Sequence, residues 1–123
     1  MECRSRALGA SAQSLQIRFD YASARLEPAI VAALVDVAGR LGTCAAASVI
    51  IEGHTDSDGD SDRNQALSVR RAQSVWEQLV AAGAKPEQLS VIGFGFSKPE
   101  APNDTAENKL RNRRVVLVVE LPR

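Results

Sequence analysis

Aromatic residues are scarce, at 4% of the 123 residues. That removes the stacking platforms on which single-stranded nucleic acid is held. An excess of charge is missing too, because fifteen basic residues meet fifteen acidic ones. A formal net charge of zero gives no general electrostatic footprint for nucleic acid, nor for an anionic membrane surface. No run approaches the roughly 20 apolar residues of a membrane span. The opening Met1-Glu2-Cys3-Arg4-Ser5-Arg6 has no apolar stretch of the signal-peptide kind. It fits either a cytoplasmic protein or a domain of a longer secreted chain. Cysteine occurs only as Cys3 and Cys44, too far apart for a C-x-x-C redox or zinc motif. The single histidine, His54, has no second His or nearby Cys to complete a zinc set.

What is present suffices for one domain. Hydrophobic residues are 45% and charged residues 24%, close to the globular average, in a chain of ordinary domain length. Residues 1–14 are rich in Ser, Ala and Arg without a period and read as a tail or linker. Leu15, Ile17 and Phe19 then alternate with Gln16 and Arg18, the pattern of a half-buried strand. Pro28 opens a helix at a position where its missing N–H costs little. Ile30, Val31, Leu34, Val35, Ala38 and Leu41 give it an apolar stripe, and Gly42 ends it. Val49-Ile50-Ile51 is a β-branched strand ending at Gly53.

An acidic loop, His54 to Arg63, leads to a second helix predicted over Asn64 to Ala82. Asp62 and Gln65 have capping-box spacing. Leu67, Ala72, Val75, Trp76 and Leu79 form the buried stripe of this helix, and Gly83 stops it. Leu89, Val91 and Ile92 make a third strand running into Gly93-Phe94-Gly95-Phe96. Asp104 or Thr105 caps a short helix to about Leu110. Val115-Val116-Leu117-Val118-Val119 closes the chain. Its unbroken hydrophobicity predicts a central strand buried on both faces. The order β-α-β-α-β-(α)-β argues for helices packed on a sheet with parallel crossovers, the last strand making a mixed sheet possible.

One segment carries chemistry. Thr55 and Asp56 follow the end of the second strand, where α/β sheets collect ligands. Arg71 lies on the next helix, and helical side chains lean back toward the N-terminus. A carboxylate and a guanidinium therefore face one crevice, beside the unpaired N–H groups of a helix start. Such a crevice suits a zwitterion. Asp56 would accept from an ammonium, and Arg71 would hold a carboxylate by parallel hydrogen bonds. The competing reading is an Asp56–Arg71 salt bridge that ties loop to helix.

The motifs Gly53-His54-Thr55-Asp56, Asn64-x-x-Leu67-Ser68-x-x-Arg71-Ala72-x-x-Val75, Gly93-Phe94-Gly95 with Pro99, and Asn112-Arg113-Arg114-Val115 occur in this order. By these the chain from about Leu15 to Leu121 closely resembles the OmpA C-terminal-like peptidoglycan-binding domain, shared with Pal lipoproteins and MotB-type stator proteins. The resemblance implies an α/β sandwich with a mixed four-stranded sheet, helices on one face and the last strand inside. It also implies non-covalent binding of the meso-diaminopimelate of the peptidoglycan stem peptide. Asp56 and Arg71 fall on the family's ligand pair, and Thr55, Asn64 and Leu67 on its pocket. Arg114 is expected nearby, with helix-to-strand packing as its alternative role; a core position and a helix-start position are the alternatives for Leu67 and Asn64. No cofactor is implied. The implied setting is the periplasm, at the outer membrane or cell wall, as part of a larger parent chain.

Other readings compete with this one. The acids of Asp56-Ser57-Asp58-Gly59-Asp60-Ser61-Asp62 imitate the start of an EF-hand loop. Counting from Asp56, position 6 is Ser61 and position 12 is Leu67, which excludes that motif and leaves a solvated acidic loop or an irregular divalent-ion site. Gly93-Phe94-Gly95-Phe96-Ser97 is neither a phosphate loop nor a nucleophile elbow. A cell-wall amidase or peptidase would need a nucleophile with its base or a metal set, and the sequence offers neither. A protein-interaction module docking through the acidic loop, and a degenerate domain without ligand, are the remaining alternatives. Retention of both Asp56 and Arg71 argues against degeneracy. Cys3 and Cys44 are expected to form a disulfide that pins the N-terminal tail, a bond suited to the periplasm; two free thiols are the alternative.

Overall fold

A computed structural model describes residues 16–120. The predicted tail over 1–14, with Cys3, and the flanking Leu15 and Leu121 lie outside the described residues. The elements are β1 (Gln16–Arg18), α1 (Pro28–Gly42), β2 (Ser48–Gly53), α2 (Ser61–Ala81), a single 3₁₀ turn (Pro86–Gln88), β3 (Leu89–Gly93), α3 (Ala106–Asn112) and β4 (Arg114–Glu120).

The four strands form one mixed sheet in the order β1-β4-β2-β3. β2 and β3 are parallel, with Val49 opposite Leu89, as a crossover through α2 requires. β4 runs antiparallel to both neighbours, with Ile17 opposite Val115 and Ile51 opposite Leu117. The chain's last strand thus splits β1 from β2, as the resemblance implied.

Side chains alternate across a strand, and here alternate residues face the helices. Ile17, Val49, Ile51, Val115 and Leu117 are fully buried against Leu34, Leu41, Val75 and Leu79. On α1 the stripe is offset from prediction: Val37 is buried, while Val35 is 49% exposed. The other sheet face differs from expectation too. Val116 and Val118 of β4 are only half-buried, because no helix covers that face. The strand is central, and its second apolar row is only partly shielded. Among the described residues no helix is long and apolar enough to cross a membrane.

Two glycines bring α2 unusually close to the sheet. A Cβ on Gly53 would lie 1.8 Å from the Ser68 carbonyl oxygen, and one on Gly93 would lie 2.6 Å from Ser68 Oγ. The fully buried Ser68 hydroxyl donates to the Gln65 carbonyl and accepts from the Gly95 backbone N–H, at 2.8 and 2.9 Å. The glycines and the serine of the motifs are therefore a packing set, which presses the first turns of α2 onto the ends of β2 and β3.

Candidate functional site

The acidic loop is held from three sides. Asn112, fully buried, accepts from the backbone N–H groups of Glu100 and Ala101 and donates to the Ala101 carbonyl and to Asn103 Oδ1. Asn103 Oδ1 in turn accepts from the Ser57 backbone N–H at 3.2 Å. Asn64 Nδ2 donates to the Asp58 carbonyl at 2.8 Å, and Asp58 Oδ1 lies 3.0 Å from Lys109 Nζ. Helix α2 begins earlier than the sequence suggested. Asp60 is its N-cap, with extended backbone and a carboxylate accepting from the Arg63 backbone N–H at 2.8 Å. Asp62 lies inside the first turn, where its charge suits the dipole. Gln65 does not close a capping box; it donates to the Gly93 carbonyl at 2.8 Å.

Beside this loop lies a cavity of about 100 Å³. Thr55, Asp56, Asn64, Leu67 and Arg71 all line it, together with Tyr21, Ala22, Arg63, Arg70 and Arg113. Five of the six residues expected at the site thus converge. The sixth does not: Arg114 lies outside the lining. Its guanidinium donates to the Asn112 and Lys98 carbonyls, at 3.3 and 3.0 Å. Burial pulls its pKa down, with Glu100 acting in the opposite sense. Side chains of adjacent residues diverge as the chain enters β4, so only one of the pair Arg113-Arg114 can reach the cavity. It is Arg113, which the sequence reading missed although the doubled arginine offered both.

Asp56 and Arg71 share the cavity without pairing with each other. Asp56 Oδ1 accepts from the Asp58 backbone N–H at 3.0 Å, and Oδ2 lies 3.3 Å from Arg113 Nη1. Arg113 Nε also donates to the Phe19 carbonyl at 3.0 Å. Arg71 is 0% exposed. Its Nε donates to the Ser23 carbonyl at 2.7 Å, and its two terminal nitrogens donate to the His54 and Asp20 carbonyls, each at 3.0 Å. The Phe19 ring lies beneath it, 5.3 Å from centroid to guanidinium carbon. Burial, reinforced by Arg113 and opposed by Asp56, lowers its pKa to about 10, so it stays charged at neutral pH. A guanidinium has five N–H donors. Those three bonds leave two of them directed elsewhere, in a side chain that lines the cavity.

Thr55 is buried, its hydroxyl donating to the Asp56 carbonyl at 2.8 Å. Leu67 is 9% exposed and supplies apolar wall. The rim is the turn from Asp20 to Ser23, closed by a backbone bond of 3.1 Å. In it Ala22 takes a left-handed φ of 55°, a conformation that a residue with a Cβ adopts at a cost. That turn directs two carbonyls at Arg71.

His54 stands outside the cavity. It is buried and stacked on Phe94, with ring centroids 5.3 Å apart. Burial, helped by Arg114 and Lys98, lowers its pKa to about 4, so the ring is neutral at physiological pH. Among the described residues no three His, Cys, Asp or Glu side chains are grouped to hold a metal ion.

Comparison with known proteins adds a family. Residues 18–113 match the model of the OmpA family. The chain is 40% identical over 103 residues to the peptidoglycan-binding protein ArfA of Mycobacterium bovis, covering 84% of this chain and 32% of that protein. It is 36% identical over 106 residues to outer membrane porin F of Pseudomonas fluorescens, covering 86% and 32%. The chain therefore spans about a third of the length of these two relatives. Among solved structures, the peptidoglycan-associated lipoprotein of Burkholderia pseudomallei superposes with a TM-score of 0.83 at 30% identity, over 85% of this chain and 89% of that one. The C-terminal domain of Helicobacter pylori MotB gives 0.80 at 26% identity, over 87% and 84%.

Proposed function

The chain belongs to the OmpA family, and from that premise we propose that it binds peptidoglycan non-covalently through the meso-diaminopimelate of the stem peptide. In doing so it ties a larger envelope protein to the cell wall, in the periplasm. The observation that carries this reading is the meeting of the Asp56 carboxylate with the Arg71 and Arg113 guanidiniums in one small cavity. Diaminopimelate ends in an ammonium and a carboxylate on one carbon. Asp56 accepts from the ammonium, while Arg71 and Arg113 donate to the carboxylate, and each bond is strengthened by charge. Thr55 and Asn64 hold the loop that carries Asp56, and Leu67 walls the aliphatic stem. Arg114 has no ligand contact in this reading. Neither a cofactor nor a covalent step is needed. Stem peptides repeat along the wall, so modest affinity per site still gives firm attachment.

Calorimetric titration with a diaminopimelate-containing stem peptide tests this, with the lysine-containing peptide as control. Lysine lacks the terminal carboxylate and should bind at least tenfold more weakly. Asp56→Asn, which keeps an acceptor for the Asp58 N–H but loses the charge facing the ammonium, should cost roughly 2–5 kcal/mol of binding. Equal affinity for both peptides, or wild-type binding by folded Asp56→Asn, would refute the site. A module docking a basic partner through the acidic loop would instead lose affinity steeply with salt and ignore the lysine substitution.

The proposed setting also bears on Cys44, which is fully buried at the start of the link from α1 to β2. We infer a bridge to Cys3, closing a loop of about 40 residues, worth on the order of 3–4 kcal/mol in the chain-entropy model. Periplasmically expressed protein, alkylated without reductant under denaturing conditions, should gain no mass. Two added alkyl groups would eliminate the bridge and leave the wall-binding reading standing.

A further inference from the structure

The chain as a whole is neutral, yet the mouth of the cavity is not. Four arginines line it against two aspartates. Both aspartates are already engaged, Asp56 with Arg113 and Asp58 with Lys109. Arg71 is fixed in the floor by backbone carbonyls. That leaves Arg63 and Arg70, both exposed. Among the described residues neither side chain has an ion pair or a hydrogen bond. They are seven residues apart on α2 and share its cavity-facing side with Leu67 and Arg71. Their Cα atoms are separated along the axis by about 10 Å. The two lining acids are engaged elsewhere, and the Asp60 carboxylate accepts from the Arg63 backbone as N-cap.

We propose that Arg63 and Arg70 form a second anion subsite, which receives a carboxylate of the peptide carried by the residue next to diaminopimelate, outside the cavity. This rests on the diaminopimelate reading of the cavity and adds a selectivity to it. A peptide whose neighbouring residue carries a free α-carboxylate meets two unpaired guanidiniums. The same peptide with that group amidated meets them without a charge to offer. Arginine suits the task because its planar donor fork matches a carboxylate. Both residues lie at the solvent-exposed mouth, so the effect is sensitive to salt.

The test uses the 123-residue chain and two synthetic tripeptides, L-Ala-γ-D-Glu-meso-diaminopimelate and its glutamyl α-amide, titrated at low and at physiological salt. Wild type should bind the free acid about 5- to 10-fold more tightly than the amide at low salt, with the ratio shrinking as salt rises. In the Arg63→Gln/Arg70→Gln double variant the two peptides should bind within twofold of each other. Both positions are exposed, so folding should survive the change. Equal wild-type affinity for the two peptides would overturn the subsite alone, and so would an undiminished preference in the double variant. Failure of wild type to bind either peptide would overturn the diaminopimelate reading and the subsite with it.

Discussion

The cavity and the cluster around Glu100 are built from the same materials and finished differently. Each combines arginines with acidic side chains at the margin of one sheet. Around Glu100 the charges pair with one another and with backbone carbonyls. Arg18 Nη1 lies 2.9 Å from Glu100 Oε2 and also donates to the Arg111 carbonyl, while its Nη2 donates to Gln16. Arg114 satisfies two carbonyls and approaches Glu100 at 3.9 Å. The hydrogen bond from Arg18 is the main reason the Glu100 carboxyl titrates below its usual range. In the cavity, by contrast, Arg71 and Asp56 are anchored by some of their atoms and open to the cavity with others. Fixed charges of both signs lining one cavity are what a binding site requires. The doubled arginine of the last motif supplies one residue to each region.

The largest expected difference between the regions lies in what removing an arginine does to folding. Arg71→Ala takes donors from three backbone carbonyls and leaves a void over Phe19, where water can restore the bonds only in part. It should cost about 3–5 kcal/mol of stability, read as a lower urea midpoint, and it should abolish binding as well. Arg71→Lys, with one ammonium for three divergent carbonyls, should recover less than half of that loss. Arg71 is consequently a poor probe of binding, and Asp56→Asn, which keeps the acceptor for the Asp58 N–H, is a better one. Unaltered stability in Arg71→Ala would show that the cavity floor is not built around this side chain.

A smaller effect should separate the adjacent pair. Arg113→Gln removes a donor that lines the cavity and should weaken diaminopimelate binding about tenfold, close to 1.4 kcal/mol, with stability lowered by about 1 kcal/mol. Arg114→Gln should lower stability by a similar amount and leave affinity within twofold of wild type. Titration and urea unfolding on the two variants give both readings. The reverse assignment, with Arg114 controlling affinity, would mean that the ligand reaches across the end of the sheet.

The sequence made most of the fold readable. Period-two and period-3.6 patterns placed β1, α1 and α2 to within a few residues, since each buries one face; a cap residue located α3, and an unbroken apolar run β4. It failed where a local pattern had two outcomes of similar plausibility. Asp62 has capping-box spacing to Gln65, and only the extended backbone at Asp60 shows that the cap lies two residues earlier. The run from Val115 to Val119 shows apolarity on both faces and cannot show that one face goes uncovered. In the site, Asp56 and Arg71 were legible from their places on strand end and helix. The contacts of Arg71 were not, because Asp20 and Ser23 contribute backbone carbonyls, which leave no trace in residue type. Arg113 was hidden by the same limit: periodicity says that neighbours diverge, and tertiary packing decides which one turns inward.

The smallest expected effect concerns the rim turn that aims those carbonyls. Ala22 holds φ at 55°, which an L-residue with a Cβ adopts at a cost of roughly 1–2 kcal/mol and glycine adopts freely. Ala22→Gly removes that strain and adds backbone freedom to the unfolded chain, so the net gain is about 0.5–1 kcal/mol. The Glu100 region shows no counterpart, since among the described residues Ala22 is the sole non-glycine with positive φ. Strain of this kind concentrates at ligand sites because it holds a loop in one conformation. A glycine there relaxes the conformation as well as the strain, and the rim that presents Tyr21 and Ala22 to the cavity becomes less preorganised. Affinity for the stem peptide should therefore fall about twofold while the urea midpoint rises. A fall in stability would show that the turn is held by its contacts and not strained. Higher stability with affinity unchanged would place the ligand clear of the rim.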